Sequence, residues 1–508
     1  MKALSARSYA SDRKSLGTSE SCAPYRKYRP TFVALPKNTT EVAKRGKKQL
    51  VEVAITAYAA EGKSLGHTNG KVVFVENTVP GDVVLVLLHK NKADWAEGAP
   101  VEFRTYSPLR IAPFCEHFGQ CGGCQWQMLP YEKQLEYKQQ QVADQLTRIG
   151  KIPLPAIEPI IGAAKTRGYR NKLEFTFTTR RYLSHEEIND PTASGEGHFA
   201  GFHARGLFDK VVNINTCHLM EEPANIIRET LKELVNGMGM PFYDMRSHTG
   251  WMRGVQYRYC TTGNLMVNVM LGYDSPEMRN ALMHGLLARV PAITTLYYTI
   301  NEKLNDSMTD LEPVLVHGPS HAIEKLGRFS FRISPVSFFQ TNTRQAEALY
   351  QVARQYAELS GSQTVYDLYC GTGSIGIFVS DGAQKVIGVE RVEDAVHDAI
   401  ENARLNQVSH AQFFAGDVMD VCTDDFFAQQ GRPDVIITDP PRSGMHEKLV
   451  QKILDMEAPT VVYVSCNPAT QARDLRLLHE KYDVTAVQPV DMFPHTAHIE
   501  NVVQLRLR

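Results

Sequence analysis

The stretch Asp367-Leu368-Tyr369-Cys370-Gly371-Thr372-Gly373-Ser374 closes one apolar run, Thr364–Tyr369, and opens another at Ile375. The pattern predicts a buried strand, a glycine turn and a helix. Two glycines one residue apart let the backbone come close to a ligand at a helix N-terminus, where free amide hydrogens favour polar and anionic groups. A Gly-x-Gly alone is a weak sign. Here an acid, Glu390, ends the next predicted strand, Lys385–Glu390, about 20 residues on, where its carboxylate can accept hydrogen bonds from ribose hydroxyls. That arrangement serves a nicotinamide dinucleotide and S-adenosylmethionine equally well.

On both sides of this turn strand-like and helix-like segments alternate. Helix Thr343–Leu359 precedes it, and strands Ala411–Gly416, Asp434–Thr438, Thr460–Ser465, Val484–Val490 and Asn501–Arg508 follow, with helices Val392–Asn406, His446–Met456 and Ala469–Lys481 between them. This is the pattern of an α/β domain with a doubly wound, mainly parallel sheet, whose ligands lie beyond the carboxyl ends of the strands. The fourth strand ends in Asp439-Pro440-Pro441-Arg442, a rigid polar turn where the reacting end of a cofactor would lie, which argues against a dehydrogenase. The next ends in Ser465-Cys466-Asn467-Pro468, so a thiol stands just before a helix whose N-terminus can favour the thiolate. A lone cysteine is commonly an inert small hydrophobe. Its position after the Asp-Pro-Pro-Arg turn favours a nucleophile instead. Uracil C5 is too weak a nucleophile to attack a methyl sulfonium unaided. Adding a thiolate to C6 creates an enolate nucleophilic at C5, and a base must later take the C5 proton so that the thiolate can leave. Cys466 supplies the thiol, and Glu500, in His495-Thr496-Ala497-His498-Ile499-Glu500-Asn501, supplies a base.

Together with Phe338-Phe339-Gln340-Thr341-Asn342, these motifs resemble those of the RNA 5-methyluridine (uracil-C5) methyltransferase family. The resemblance implies a Rossmann-like class I methyltransferase domain over residues 326–508, with Cys466 as nucleophile and Glu500 as proton acceptor. It makes Gln340, Tyr369, Gly371, Glu390, Asp417 and Asp439 contacts of S-adenosylmethionine. Ser374 departs from the Asn often found after the second glycine, so its side chain is assigned no role. Further upstream, short strand-like runs (Val51–Ala60, Lys71–Val75, Asp82–His89, Ala99–Thr105) are broken by Gly62, Gly66, Gly70 and Pro80-Gly81 and predict a small β-barrel. It resembles the TRAM domain, the OB-like RNA-binding barrel of this family, over residues 47–107. Residues 108–325 are expected to form a central α+β domain, whose long amphipathic helix Tyr131–Ile149 is suited to pack on the catalytic domain.

Cys115-x5-Cys121-Gly-Gly-Cys124 places three thiols within ten residues, and its glycines allow the loop to fold around a bound centre. No second Cys-x2-Cys pair occurs to complete a structural zinc site. One distant cysteine must complete a four-thiolate set, which suits a 4Fe-4S cluster better. By position alone Cys217 and Cys260 are equal candidates. The resemblance, here to the iron–sulfur branch that acts on 23S ribosomal RNA, selects Cys217 beside Cys115, Cys121 and Cys124, and implies ribosomal RNA as substrate ahead of tRNA. The spacing is not that of radical enzymes, so the expected role is structural or RNA-positioning, with no redox step. Phe114, Phe118 and Trp126 either stack on flipped-out bases or form the apolar shell of the centre. Arg167, Arg170, Lys172, Arg180 and Arg181 either contact phosphates or form a solvated face.

With 508 residues, 43% hydrophobic and 22% charged, the chain is an ordinary globular one of about three domains, not a disordered or fibrous one. No apolar run reaches the ~18 residues of a membrane span, and the first residues lack a signal-peptide core. A cytoplasmic monomer is expected, its nine cysteines being thiols, ligands or nucleophiles rather than disulfides. The net charge of −1 hides a basic arm, residues 1–46, within a stretch of 48 that holds twelve Lys and Arg against three acids. Such an arm suits RNA or is a solvated tail. Two rivals remain. Amine methyltransferases of the Asp-Pro-Pro-Tyr type carry an aromatic where Arg442 stands, and RNA cytosine-C5 enzymes carry a second cysteine that is absent between Asp439 and Gly444. A non-catalytic iron–sulfur RNA-binding protein would have no use for Cys466, Glu500, Asp439 and Gln340 together.

Overall fold

The computed structural model describes residues 49–508 apart from 309, and the basic arm expected over 1–46 lies outside them. Strands β1 (Leu50–Tyr58), β2 (Ser64–Thr68), β3 (Lys71–Val75), β4 (Val83–Asn91) and β5 (Trp95–Thr105) close a barrel in the order β1-β2-β3-β5-β4. Alternate residues point inward, so that Val53, Ile55, Val73, Val75, Val84 and Val86 make its core. β2 was not expected, because Gly66 and His67 interrupt its apolar pattern. Gly66 is required there, since a Cβ would come within 2.2 Å of the Ala54 carbonyl oxygen.

The central part is a seven-stranded sheet in the order β12-β11-β10-β9-β6-β7-β8. Its strands are β6 (Lys172–Arg180), β7 (Glu196–His203), β8 (Val211–Asn213), β9 (Met252–Tyr259), β10 (Leu265–Leu271), β11 (Thr295–Ile300) and β12 (Val314–His317), with helices Ala224–Gly237 and Pro276–Arg289 contributing to its core. A hairpin, β13 (Ala322–Leu326) and β14 (Phe329–Ile333), leads into helix Thr343–Ala357.

The last sheet contains β15 (Thr364–Leu368), β16 (Lys385–Glu390), β17 (Ala411–Ala415), β18 (Val435–Thr438), β19 (Thr460–Ser465), β20 (Tyr482–Val490) and β21 (Glu500–Leu507), in the order β17-β16-β15-β18-β19-β21-β20. β15 to β19 are parallel, and β21 runs antiparallel between β19 and β20. The doubly wound α/β architecture is therefore present, with apolar cores on both faces of the sheet. Helix Tyr131–Gln145 lies against this sheet: Val142 packs with Ala472 and Leu475, and the fully buried Lys138 ammonium meets Asp491 Oδ1 at 2.6 Å. No helix among the described residues is long and apolar enough to cross a membrane.

Candidate active site

Parallel pairing aligns the carboxyl ends of β17, β16, β15 and β18, so Asp417, Glu390, Tyr369 and Asp439 leave the sheet along one edge. Tyr369, Gly371 and Gly373 have φ of 62°, 52° and 75°, left-handed backbone at alternate residues that only glycine adopts freely. A Cβ on Gly373 would meet the Phe413 ring at 2.9 Å, whereas one on Gly371 would meet nothing within 4 Å. Gly373 therefore lets the turn pack on the sheet, and Gly371 keeps its other side open. Glu390 accepts hydrogen bonds from the Gly371 amide (3.1 Å) and the Val392 amide (2.9 Å), which fixes its carboxylate beside the turn. Asp417 accepts from the Met419 amide at 2.9 Å and starts a short helix at an exposed position. Gln340 is largely buried in the connection before helix Thr343–Ala357, its carbonyl oxygen accepting from the Asn171 side chain at 2.9 Å. Below the turn, Asp367 is fully buried, with Oδ2 accepting from the Gly376 amide at 2.7 Å.

Because β21 lies beside β19 with Ser465 opposite Asn501, Cys466 and Glu500 are the next residues on the two strands and face each other. Glu500 is buried, and burial followed by the charge of Asp439 holds its carboxyl well above the usual carboxylate range. Burial alone lifts Asp439 to about 7. Burial, then Glu500 and Asp439, push the Cys466 thiol up to about 11, while the Arg442 guanidinium hydrogen-bonded to it pulls the other way. The thiolate expected from the helix start is thus not the resting state: burial of the sulfur, and after it the two carboxyls beside it, outweigh the helix N-terminus. Arg442 also donates to Nδ1 of His498, an imidazole that burial, and then Arg442, hold neutral down to about 4. The Asp439–Arg442 turn is fixed from the following helix, Pro468–Leu478. Asn467 Nδ2 (3.0 Å) and Thr470 Oγ1 (3.2 Å) donate to the Arg442 carbonyl, and Asp474 accepts from the Met445 amide at 2.8 Å. Arg442 and His498 both stood in recognised motifs, but nothing in their spacing revealed that one reaches the other beside the thiol.

Residues 323–508 match the family described as tRNA (Uracil-5-)-methyltransferase, and residues 43–101 match the TRAM domain. The chain is 48% identical over 453 residues to an uncharacterized RNA methyltransferase of Bacteroides thetaiotaomicron, covering 89% of this chain and all of that one. The chain belongs to the RNA uracil-5-methyltransferase family. An RNA methyltransferase of Porphyromonas gingivalis is 46% identical, with 89% and 98% covered. A solved structure, the Pyrococcus abyssi tRNA (uracil-54, C5)-methyltransferase in complex with S-adenosyl-L-homocysteine, is similar with a TM-score of 0.69 at 27% identity, over 89% of this chain and 99% of that one.

A concave site in this member of the family is lined by thiols. Cys115, Cys121, Cys124 and Cys217 line one cavity of about 430 Å³ together with His117, Arg170 and Phe339. Cys260 lies elsewhere, packed with Met266, Tyr297 and Ala322. Burial pushes the Cys121 and Cys124 thiols up to about 12 and raises Cys115 and Cys217 as well. The sulfurs face a common space without closing on a single point: among the described residues no group of three or more His, Cys, Asp or Glu side chains is placed to hold a metal ion. Trp126 is fully buried against Val79 and Ala497 and is not free to stack on a base. Phe114 lies beneath the Arg167 guanidinium, 3.8 Å from its ring centre. Arg180 pairs with Asp244 and Arg181 with Glu187, which engages both within the central part.

Proposed function

We propose that this protein transfers a methyl group from S-adenosylmethionine to C5 of a uridine in 23S ribosomal RNA, giving 5-methyluridine. The observation that supports it most is the adjacency of Cys466 and Glu500 on the neighbouring strands β19 and β21. Tyr369, Gly371, Glu390 and Asp439, with Asp417 and Gln340 at the margins, would hold the donor, which when bound supplies an electrophilic methyl group. Cys466 Sγ loses its proton and adds to C6 of the uracil. C5 then carries the nucleophilic electron pair that accepts the methyl. Glu500, ionised, removes the C5 proton, the C6–S bond breaks, and the Cys466 thiolate is recovered, so that one proton is released overall. Burial that raises Glu500 also makes it a stronger base once ionised. The target base must leave its stack to bring C6 to the sulfur, which favours a loop or unstacked segment.

We assign a 4Fe-4S cluster to Cys115, Cys121, Cys124 and Cys217. The donor set supports it: four thiols face one cavity. A cage of several irons also spreads its ligands more widely than one ion does. When bound it supplies a rigid cross-link between the loop and the central sheet. Protein purified without oxygen should absorb broadly near 400 nm, and Cys124→Ser should lose iron. A colourless protein with stoichiometric zinc would overturn the assignment.

The reading places the enzyme in the cytoplasm as a monomer, its barrel contributing to RNA binding. A second substrate, tRNA, is favoured by the similarity to the P. abyssi tRNA (uracil-54, C5)-methyltransferase. Incubation with labelled S-adenosylmethionine and unmodified ribosomal RNA and tRNA in parallel separates them. Label recovered as 5-methyluridine in 23S RNA is expected, label only in tRNA establishes the second reading, and label on cytidine or adenosine overturns the uracil chemistry.

A further inference from the structure

Glu500 begins β21, and the loop 491–499 that leads into it is gripped mainly by residues from far upstream. The Gln125 and Trp126 amides both donate to the His495 carbonyl, at 2.8 and 3.0 Å. The Ala497 amide donates to Gln125 Oε1 (2.9 Å), and the His495 amide donates to Gln134 Oε1 (2.8 Å). Gln134 Nε2 in turn donates to the Trp126 and Leu129 carbonyls, both at 3.0 Å, so this fully buried side chain ties the cysteine loop to the catalytic loop. Apolar contacts seal the same point. Trp126, Met128 and Val79 pack with Ala497, and a Cβ on Gly62 of the barrel would come within 2.8 Å of the Ala497 Cβ. His495 holds a left-handed φ of 67°, a conformation that a non-glycine residue keeps only where its surroundings impose it. Gln125 directly follows Cys124 in the chain.

Cys466 and Asp439 are fixed differently. Their turns are bonded to Asn467, Thr470 and Asp474 within the catalytic sheet and its helix, and the Gln125 and Gln134 side chains make none of those bonds. The clamp therefore bears on the segment that carries the base and leaves the nucleophile and the donor turn to their own supports.

We propose that Gln125 and Gln134 are positioning residues for Glu500, holding residues 495–497 in the one conformation that aims its carboxyl at the C5 proton, and so acting on the elimination step that frees the methylated RNA. The proposal rests on the reading of Glu500 as the base. Gln125→Met keeps the side chain's size and removes the acceptor for the Ala497 amide, whereas Gln125→Glu keeps an acceptor. Two RNAs separate the steps. A ribosomal RNA transcript with 5-fluorouridine in place of uridine has no C5 proton to lose, so its covalent trapping reports addition and methyl transfer alone. A uridine transcript reports complete turnover. For Gln125→Met, turnover should fall on the order of tenfold, with a denaturation-resistant protein–RNA adduct accumulating on uridine RNA. Trapping by 5-fluorouridine RNA should stay within about twofold of the unaltered protein, and Gln125→Glu should restore turnover. Trapping that falls in parallel with turnover, unchanged turnover in Gln125→Met, or a Gln125→Glu as slow as Gln125→Met overturns the proposal. Glu500→Gln run alongside tests the underlying reading: if it accumulates no adduct, the base assignment fails irrespective of the Gln125 result.

Discussion

Asp367→Asn should stabilise the protein at alkaline pH and leave it unchanged in acid. Asp367 is fully buried beneath the glycine turn, with one oxygen bonded to the Gly376 amide and the other, Oδ1, buried without a hydrogen-bond partner. Burial is the main cause that lifts its carboxyl from the ordinary 3.8 to about 7, the Gly376 amide opposing it and Asp439 and Glu390 adding to it. A raised carboxyl binds a proton in the folded chain that the unfolded chain has released. Stability from this group is complete below pH 3.8 and is lost as pH rises to about 7. At 1.36 kcal/mol per pH unit the whole loss is about 4 kcal/mol, of which about 3 kcal/mol falls between pH 5 and pH 8. Asparagine keeps an acceptor for the Gly376 amide and carries no charge to bury. Urea unfolding of both proteins at pH 5 and pH 8, followed by circular dichroism, should give a variant whose advantage is larger by about that amount at pH 8. An advantage equal at the two pH values, or a variant less stable at pH 8, would refute the reasoning.

Gly373→Ala should cost about 2–4 kcal/mol, from its left-handed φ and from contact with Phe413. Gly371→Ala should cost only the backbone strain of about 1 kcal/mol while weakening donor binding, since its methyl enters the open side of the turn; melting and calorimetric titration with S-adenosylmethionine separate the two. Lys138→Met leaves Asp491 as a buried, uncompensated charge and should lose about 3–5 kcal/mol in urea unfolding, with much of that regained when Asp491→Asn is added. His498 is held neutral down to about 4 against an ordinary 6.5, so the unfolded chain binds its proton first and stability falls as pH drops through that window, by about 3 kcal/mol. His498→Gln should flatten the acid limb of the stability profile between pH 6.5 and 4 by that amount.

The catalytic sheet was legible in the sequence because its parallel strands β15, β16, β18 and β19 are buried on both faces and end in polar turns, so the alternation from Thr364 onward stands out. Two short helices, Val418–Val421 and Asp424–Gln430, were missed because neither spans enough residues to show a period. The central sheet was read only in fragments, since β6 pairs with β9 across some eighty residues and β7 is half exposed. The motifs named Cys466 and Glu500, but their adjacency comes from the insertion of β21 between β19 and β20, a topological fact no local pattern carries. The same folding explains why the thiol is raised and not lowered: a helix N-terminus is visible in sequence, whereas burial of the sulfur and the two carboxyls brought beside it are not. Spacing likewise could not say which distant cysteine shares a cavity with Cys115, Cys121 and Cys124: the fold brings Cys217 there and leaves Cys260 outside it.

The central claim is that Cys466 bonds covalently to the uracil that is methylated. Trapping the protein on 5-fluorouridine RNA with S-adenosylmethionine, digesting the adduct and sequencing the nucleotide-bearing peptide by mass spectrometry tests it directly. The nucleotide should be found on Cys466, carrying the transferred methyl group, and Cys466→Ala should form no adduct. A methylated adduct on Cys370 or Cys422, or methylation of uridine RNA by Cys466→Ala, would contradict the account.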